Sequence, residues 1–294
     1  MMKDHFYREF KQTLIFMGPL VVFLALFILL PILGTFLTSL YKDVAFLERG
    51  FVGLSNYNNL LFERRFWDAL CFTLLFTAVT VPIELVLGTF FALILNQTIP
   101  LRGILRVCII LPWAIPAAIS ARTWELIYNY SYGLANFLIL HLRLTRSPIN
   151  WLGTEIGAFF SIVIADVWKT TAFVVIILLA GLQAIPEELY SQAQVDGANL
   201  FQRFYMITLP LLKPVLIVAL LFRTIDALRV FDMIYVLTNG GPGGATTSLS
   251  IFGYKYFLLG DWGYGCTISV VLFIIAFSLS VVYVKLGRWR YEVI

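Results

Sequence analysis

The sequence predicts an all-α integral membrane protein with six transmembrane helices. Its 294 residues are 60% hydrophobic and only 13% charged, whereas a soluble domain carries about 25% charged residues. The mean hydropathy is +0.88, and the apolar residues fall in long blocks of the kind that cross a hydrocarbon layer of about 30 Å as helices. A single transmembrane domain over residues 1–294 is expected, because no polar segment is long enough to form a soluble domain.

Six apolar blocks mark the expected spans. They lie at about 13–38, 70–95, 107–128, 156–183, 211–237 and 265–286. The first block lacks a small-residue cleavage site after it, so we expect a retained anchor and not a signal peptide. The fifth block is longer than the hydrocarbon layer requires, which indicates either a tilted helix or an irregular segment within it.

The placement of basic residues predicts which side of the membrane each loop faces. An even number of spans puts both termini on one side, and the loops of that side hold ten Lys and Arg residues against seven on the other. Because basic loop residues are retained in the cytoplasm, we expect cytoplasmic termini and a cytoplasmic segment 184–210. The net charge of +4 is too small to indicate binding to nucleic acid.

Segment 184–210 is polar, although it lies between two apolar spans, and it predicts a short helix. Pro186 suits the first turn of a helix, and the two carboxylates that follow it complement the positive end of the helix dipole. The helix is expected to end at Asp196 and Gly197, because glycine readily adopts the left-handed conformation that closes a helix.

A second helical segment is expected from Asn199 to Met206, before Leu209 and Pro210 begin the fifth span. Ala193 and Gly197 are small and four residues apart, so another protein could approach the backbone closely at these positions. The residues alone leave two alternatives open for 184–210, which are an amphipathic loop on the membrane surface and a docking element for a partner.

Six charged residues lie in the fourth and fifth spans beyond their first turns, where each costs about 2.5 to 3.5 kcal/mol at the bilayer centre. They are Asp166, Lys169, Arg223, Asp226, Arg229 and Asp232. Their spacing of three residues suits pairing of opposite charges along one helix, which is the structural interpretation. A step of three residues rotates a helix by about 300°, so the four charges of the fifth span cannot share one face. We expect Arg223 and Asp226 to face a pathway, with the other two near the outer end or bound to neighbouring helices.

Three more charges lie in or near the spans. Glu84 follows Pro82 in the second span and is interpreted as a hydrogen-bond partner between helices or at a kink, in preference to a ligand-binding role. Arg122 and Glu125 are expected near the outer boundary of the third span.

Segment 184–210 resembles the coupling loop of importer permeases of the ATP-binding-cassette class. The family pattern is Glu-Ala-Ala, three residues, Gly, nine residues, Ile, one residue and Leu-Pro, and it is matched here by Gly197, Ile207 and Leu209-Pro210. The first triplet departs from the pattern because it reads Ser191-Gln192-Ala193. The flanking "LAGLQAIPEELYSQAQVDGA", together with "ADVWKTTAF" and "LLFRTIDALRVFDMIYVLTNGGP", is similar to the maltose- and trehalose-type sugar permeases, most of all to the trehalose type.

This resemblance implies positions for sugar binding on the spans before and after the loop. The implied positions, with the pathway candidates above, are Asp166, Lys169, Thr170, Phe173, Arg223, Asp226, Ala227 and Val230. In the fourth span a carboxylate, an ammonium and a hydroxyl can bond to sugar hydroxyls, and an aromatic ring can stack on a sugar ring. In the fifth span the sequence departs from the maltose-type pattern, which has amides where this chain has Ala227 and Val230.

The resemblance also implies the contact with an ATPase and the other partners. The residues expected at that contact are Glu187, Glu188, Ser191, Ala193, Asp196, Gly197 and Phe201. The implied partners are a second permease subunit, two ATP-hydrolysing subunits, an extracytoplasmic sugar-binding protein, the lipid bilayer of a bacterial or archaeal cytoplasmic membrane and a sugar substrate. ATP and Mg²⁺ are expected on the partner subunits, and no cofactor in this chain.

Other functional classes have little support in the sequence. No G-x-x-x-x-G-K-[ST] motif is present to bind nucleotide phosphates. The two histidines, His5 and His141, are far apart, so neither a metal site nor a catalytic residue is expected. An ion-coupled secondary transporter that uses the intramembrane charges stays the alternative. The sugar is left open between disaccharides and a glycerol-phosphate substrate, which Arg223 or Lys169 would favour.

Overall fold

The computed structural model describes residues 16–288, and most of them are helical. Five helices in this range are long and apolar enough to cross a membrane. They are α1 (Phe16–Ser39), α3 (Arg64–Asn96), α7 (Glu155–Gln183), α9 (Leu200–Leu228) and α12 (Trp262–Arg288). A sixth candidate is the bent pair α4 (Arg102–Ala114) and α5 (Ala117–Ile127). The shorter elements are β1 (Tyr41–Lys42), β2 (Gly50–Phe51), α2 (Ser55–Phe62), α6 (Leu134–His141), α8 (Glu187–Val195), α10 (Asp232–Leu237) and α11 (Leu249–Leu258).

These helices fall on the six expected apolar blocks, although several bounds differ. The second span begins at Arg64 and not near residue 70, and the sixth begins at Trp262 and not near residue 265. Residues 13–15 of the first expected span lie outside the described residues. The expectations of a single domain and of cytoplasmic termini stay predictions.

The third expected span, 107–128, is not one straight helix. Its two parts, α4 and α5, meet at an angle of 99°. Pro116 lacks the backbone N–H that would continue the helix, and it holds Ile115 in an extended conformation with ψ of 132°. The bend leaves backbone carbonyls without helical partners in the middle of the span.

The bounds expected for the fifth span, 211–237, are wrong at both ends. Helix α9 already begins at Leu200, and a π-helical turn over Phe204–Thr208 carries it past Pro210, which supplies no N–H for an ordinary helical bond. The separate second helical segment expected at 199–206 is therefore the first part of α9. At the other end the helix stops at Leu228, and α10 begins three residues after Arg229.

Two compact units divide the chain. The first comprises the described residues up to Glu63 together with Gly253–Val271. Within it β1 and β2 form an antiparallel hairpin. The side-chain amide of Asn56 donates to the backbone carbonyls of Ser39 and Tyr41, at 2.9 Å each, and so ties α2 to the residues that end α1 and begin the hairpin.

The second unit comprises Arg64–Phe252 and the described residues from Leu272 onward, and α3, α7 and α9 pack closely within it. A Cβ atom on Gly88 of α3 would lie 2.5 Å from a methyl carbon of Val174 in α7. Similarly, a Cβ atom on Gly181 of α7 would lie 2.9 Å from a methyl carbon of Val215 in α9. Glycine thus permits both close helix contacts, as in other membrane helix pairs.

Candidate functional site

A buried ion pair joins α3 to α9. Arg223 is 2% exposed and Glu84 is fully buried. The guanidinium of Arg223 donates two hydrogen bonds to the carboxylate of Glu84, from Nε to Oε2 at 2.5 Å and from Nη2 to Oε1 at 2.9 Å. This is the two-point geometry in which arginine binds a carboxylate most strongly. Such geometry is required here, because an unpaired charge at this depth would be severely destabilising.

Helix α7 joins this cluster through Asp166 and Thr170. Nη2 of Arg223 lies 3.5 Å from Oδ2 of Asp166. The hydroxyl of Thr170 lies 2.7 Å from Oε1 of Glu84 and 2.6 Å from the backbone carbonyl of Asp166, so it can donate to either oxygen. Both residues are buried. Asp166 therefore pairs across helices with Arg223, and the expected pairing of Asp166 with Lys169 along α7 is not the arrangement found.

Asp226 lies at the border between this cluster and the exposed surface. Its Oδ2 atom accepts a hydrogen bond from Nη1 of Arg223 at 2.7 Å, and its Oδ1 atom accepts one from Nη2 of Arg229 at 3.2 Å. The side chain of Asp226 is 49% exposed and that of Arg229 is 69% exposed. The pairing of charges three residues apart, expected for the fifth span, is thus confirmed for Arg223, Asp226 and Arg229.

Lys169 and Phe173 belong to a half-exposed face beside the bend between α4 and α5. The ammonium of Lys169 donates a hydrogen bond of 2.5 Å to the carbonyl of Ile115, and it lies 3.4 Å from the carbonyl of Trp113. The bend leaves both carbonyls without helical partners. The ring of Phe173 lies 6.1 Å from that of Trp113 and 6.2 Å from that of Phe222.

The ammonium of Lys169 also lies within electrostatic range of three carboxylates. Its charge interacts with those of Asp166, Asp226 and Asp232. Asp232 stands in the first turn of α10 and is exposed. We define the exposed polar face as Lys169, Phe173, Phe222, Asp226 and Arg229. It combines both signs of charge with aromatic rings at the depth of the spans.

Two of the expected pathway residues are enclosed in the apolar core. Ala227 is 2% exposed and Val230 is 9% exposed, and both pack in a cluster that includes Phe76 and Ile162. Among the eight expected pathway residues, the side chains of Asp166, Thr170, Arg223, Ala227 and Val230 are buried, and those of Lys169, Phe173 and Asp226 reach the surface.

The sequence alone does not predict the partnership of Glu84 with Arg223, nor the part of Phe222 and Arg229 in the exposed polar face. Glu84 does have the helix–helix role favoured for it, and its signal was a carboxylate inside an apolar span. Arg122 and Glu125 form an exposed ion pair with each other along α5. Among the described residues, no group of three or more His, Cys, Asp or Glu side chains could hold a metal ion.

The polar segment after α7 folds as the short helix that the sequence predicts. Helix α8 carries its two carboxylates in the first turn, after Pro186. It ends in a Schellman motif, in which the N–H of Gly197 donates to the carbonyl of Gln194 at 3.1 Å and the N–H of Ala198 donates to that of Ala193 at 2.9 Å. Gly197 has φ of 81°, which is the left-handed conformation that the motif requires.

The surface of this segment is open. None of the residues of α8 is buried, and all of the expected ATPase-contact residues are exposed except Ala193, which is half-buried. These exposed residues are Glu187, Glu188, Ser191, Asp196, Gly197 and Phe201. Phe201 is 77% exposed, and apolar side chains of Val195, Leu200 and Met206 are exposed with it. Exposed apolar groups gathered in this way are typical of an interaction surface.

Comparisons with known proteins agree with this architecture. The chain is 57% identical over 285 residues to the trehalose/maltose transport system permease protein MalF of Thermococcus litoralis, covering 97% of this chain and 96% of that protein. It is 41% identical over 241 residues to the trehalose transport system permease protein SugA of Mycobacterium tuberculosis, covering 81% of this chain and 76% of that protein.

The fold is that of an ABC transporter membrane subunit. It matches a chain in the crystal structure of a bacterial alginate ABC transporter in complex with an alginate pentasaccharide-bound periplasmic protein, with a TM-score of 0.83 at 21% identity over 96% of both chains. Residues 84–287 match the family described as the inner membrane component of binding-protein-dependent transport systems. From this match and the identity to the archaeal and mycobacterial permeases, the chain belongs to the family of inner membrane permease components of binding-protein-dependent ABC transport systems.

Proposed function

We propose that this permease forms half of the pathway by which an ATP-driven importer moves a neutral disaccharide of the trehalose or maltose type. The observation that carries the proposal is the exposed polar face, which places Lys169, Asp226 and Phe173 together at the depth of the spans. A carboxylate and an ammonium can exchange hydrogen bonds with sugar hydroxyls, while aromatic rings cover the apolar face of a sugar ring. The relatives that are permeases for trehalose and maltose support the same substrate class.

The charges favour a neutral sugar over a sugar phosphate or glycerol phosphate. Each described cation near the face already has an acceptor. Arg223 is paired with Glu84, and Arg229 is bonded to Asp226. Lys169 is bonded to a backbone carbonyl and interacts electrostatically with three carboxylates. An anionic ligand would have to break one of these contacts and approach Asp226, whereas hydroxyl groups can join them.

The segment 186–210 is proposed to couple sugar transport through the spans to ATP hydrolysis by a separate ATPase. The open surface of α8 would dock on the ATP-hydrolysing subunit, which holds ATP and Mg²⁺, and the exposed ring of Phe201 would extend this contact. Ser191 stands where the family pattern has Glu, and its hydroxyl donates to the carbonyl of Glu187 at 3.2 Å. Glu187 and Glu188, in the first turn of α8, would contribute negative charge at this contact.

The complete importer is proposed to contain a second permease, two ATP-hydrolysing subunits and an extracytoplasmic binding protein. None of the residues in the most apolar 18-residue stretch of α1 is buried within the chain, so this helix is available to lipid or to a second permease. We propose that the chain is a single transmembrane domain in a bacterial or archaeal cytoplasmic membrane. The distribution of its basic residues supports cytoplasmic termini.

Reconstitution of the complete importer in liposomes tests this function. Uptake of radiolabelled trehalose or maltose should require ATP and the loaded binding protein, and it should persist when sodium and proton gradients are abolished. Deletion of Glu187–Val195 should abolish co-purification with the ATPase or its stimulation. Uptake that follows an ion gradient after ATP depletion would contradict the proposal and favour an ion-coupled transporter.

A further inference from the structure

We propose that Glu84 is a positioning residue for sugar recognition, which acts through Arg223 to hold the carboxylate of Asp226 at the exposed polar face. This inference rests on the proposed function of that face. It assigns a role to a buried residue of α3, a helix that contributes no side chain to the face itself.

The first step is the direction of the guanidinium. Glu84 binds Nε and Nη2 of Arg223, which fixes both the position and the plane of that group. The remaining nitrogen, Nη1, therefore points in a set direction, and it donates to Oδ2 of Asp226 at 2.7 Å. Because a guanidinium is planar and rigid, fixing one edge of it fixes the other.

The second step is the availability of Asp226. Arg223 occupies one carboxylate oxygen of Asp226, and the other faces Arg229 at the surface, where both side chains are largely exposed. A sugar hydroxyl can donate to this outer oxygen beside the exposed guanidinium. One oxygen of the carboxylate is thus held from inside the protein, and the other lies at the surface in a hydrogen bond with Arg229 that a sugar hydroxyl can join. Such a preorganised arrangement favours ligand binding.

Asp166 is a weaker candidate for the same role. It approaches Arg223 through a single nitrogen at 3.5 Å, whereas Glu84 makes two shorter contacts. Thr170 adds a hydroxyl 2.7 Å from Glu84, so Glu84 is itself held in place from α7. The geometry therefore places Glu84 at the inner end of the chain of contacts that leads to Asp226.

Removal of the Glu84 charge should change the direction of Arg223. The guanidinium would then have only the carboxyl groups of Asp166 and Asp226 as partners, and two-point binding to Asp226 would draw both oxygens of that carboxylate away from the exposed face. The loss of one charge-assisted contact to the sugar predicts an increase in Kd of about tenfold. The number of assembled transporters should change far less.

The experiment uses the complex of both permeases and the ATPase in lipid nanodiscs, without the sugar-binding protein, so that the measured Kd is that of the membrane subunits. Equilibrium dialysis with radiolabelled trehalose and maltose gives Kd, and co-purification of the ATPase reports assembly. Glu84→Gln should raise Kd about tenfold, whereas Glu84→Asp, which keeps the charge, should restore part of the affinity. Thr80→Val is the matched control, since the Thr80 hydroxyl is buried one turn away on α3 and donates only to the Phe76 carbonyl of its own helix at 2.8 Å. Its Kd should equal that of the unmodified importer.

A double-mutant cycle separates this proposal from a purely structural role. If Glu84 acts through Asp226, the double variant Glu84→Gln/Asp226→Asn should bind sugar no more weakly than Asp226→Asn alone. Additive losses of affinity in the double variant would overturn the inference. If Asp226→Asn raises Kd but neither Glu84 variant changes it, the inference is also overturned. An unchanged Kd in Asp226→Asn would instead refute the proposed sugar site, and the inference with it. If Glu84→Gln does not assemble, Glu84→Asp decides, because its shortened side chain should still raise Kd measurably.

Discussion

The hydroxyl of Tyr190 in α8 lies 3.0 Å from that of Thr208 in the first turns of α9. Thr208 is buried and Tyr190 is half-buried, while the rest of α8 is mostly exposed. This hydrogen bond joins the proposed docking helix directly to the transmembrane helix that carries Arg223 and Asp226. It offers a short path by which movement of an ATPase reaches the exposed polar face.

Substitution Tyr190→Phe should therefore weaken coupling without preventing assembly. A neutral hydrogen bond contributes about 1 kcal/mol, so we expect the ratio of sugar transported to ATP hydrolysed to fall up to about fivefold. Parallel assays of uptake and phosphate release measure this ratio. Tyr205→Phe is the matched control, since Tyr205 lies on the same segment and is 63% exposed. An equal loss in both variants would contradict a specific role for the bond to Thr208.

Substitution Gly88→Ala should destabilise the packing of α3 on α7. The new Cβ atom would lie 2.5 Å from a methyl carbon of Val174, so the helices must separate or Val174 must move. Overpacking of this kind costs about 1 to 3 kcal/mol. Thermal unfolding in detergent should show a lower midpoint, which Val174→Ala should partly restore. Gly34→Ala in α1 is the control, because a Cβ atom there meets nothing within 4 Å.

The sequence predicts the helices of the core well, because each transmembrane segment is a local pattern of composition. It also predicts the end of α8, since Gly197 is the residue type that the closing motif requires. Pro116 itself is a sequence signal for the bend between α4 and α5. A count of apolar residues does not detect it, because such a count measures the length of an apolar block and not the direction of the helix axis. The break after α9 has no such signal in the sequence, because the residues there, Arg229, Val230 and Phe231, include neither Pro nor Gly. There the carbonyl of Val230 accepts a hydrogen bond of 2.9 Å from the hydroxyl of Ser248, a contact made far along the chain.

The candidate site could be predicted only in part, for a similar reason. The cost of a charge in hydrocarbon identifies Glu84, Asp166 and Arg223 as residues that need partners. It does not identify the partners, and spacing along one helix favoured pairs that are close in sequence. The strongest pair, Glu84 with Arg223, joins residues 139 positions apart. Which charged residues pair with each other depends on the close tertiary contacts between α3, α7 and α9.

Substitution Arg223→Met should destabilise the protein far more than Arg229→Met. Loss of Arg223 leaves Glu84 and Asp166 buried without a cation, and breaking a buried pair in this way costs about 3 to 5 kcal/mol. Arg229 is 69% exposed, and an exposed pair contributes about 0 to 1 kcal/mol. Yield and thermal unfolding of the two variants measure the difference. Equal stability would show that the buried cluster is dispensable for the fold.

Substitution Asp226→Asn should alter the charge selectivity of the exposed polar face. The change removes the carboxylate that neutralises Arg229, and it reduces the negative charge around Lys169. A cation at the face is then free to bind an anion, so trehalose 6-phosphate should compete with trehalose for the variant but not for the unmodified importer. The competition should weaken as salt is added, since exposed charges are screened. Glu125→Gln is the control, because Glu125 forms a partly exposed ion pair with Arg122 on α5, which contributes no residue to this face. Competition by trehalose 6-phosphate at the unmodified face would contradict the inference that its cations are already engaged.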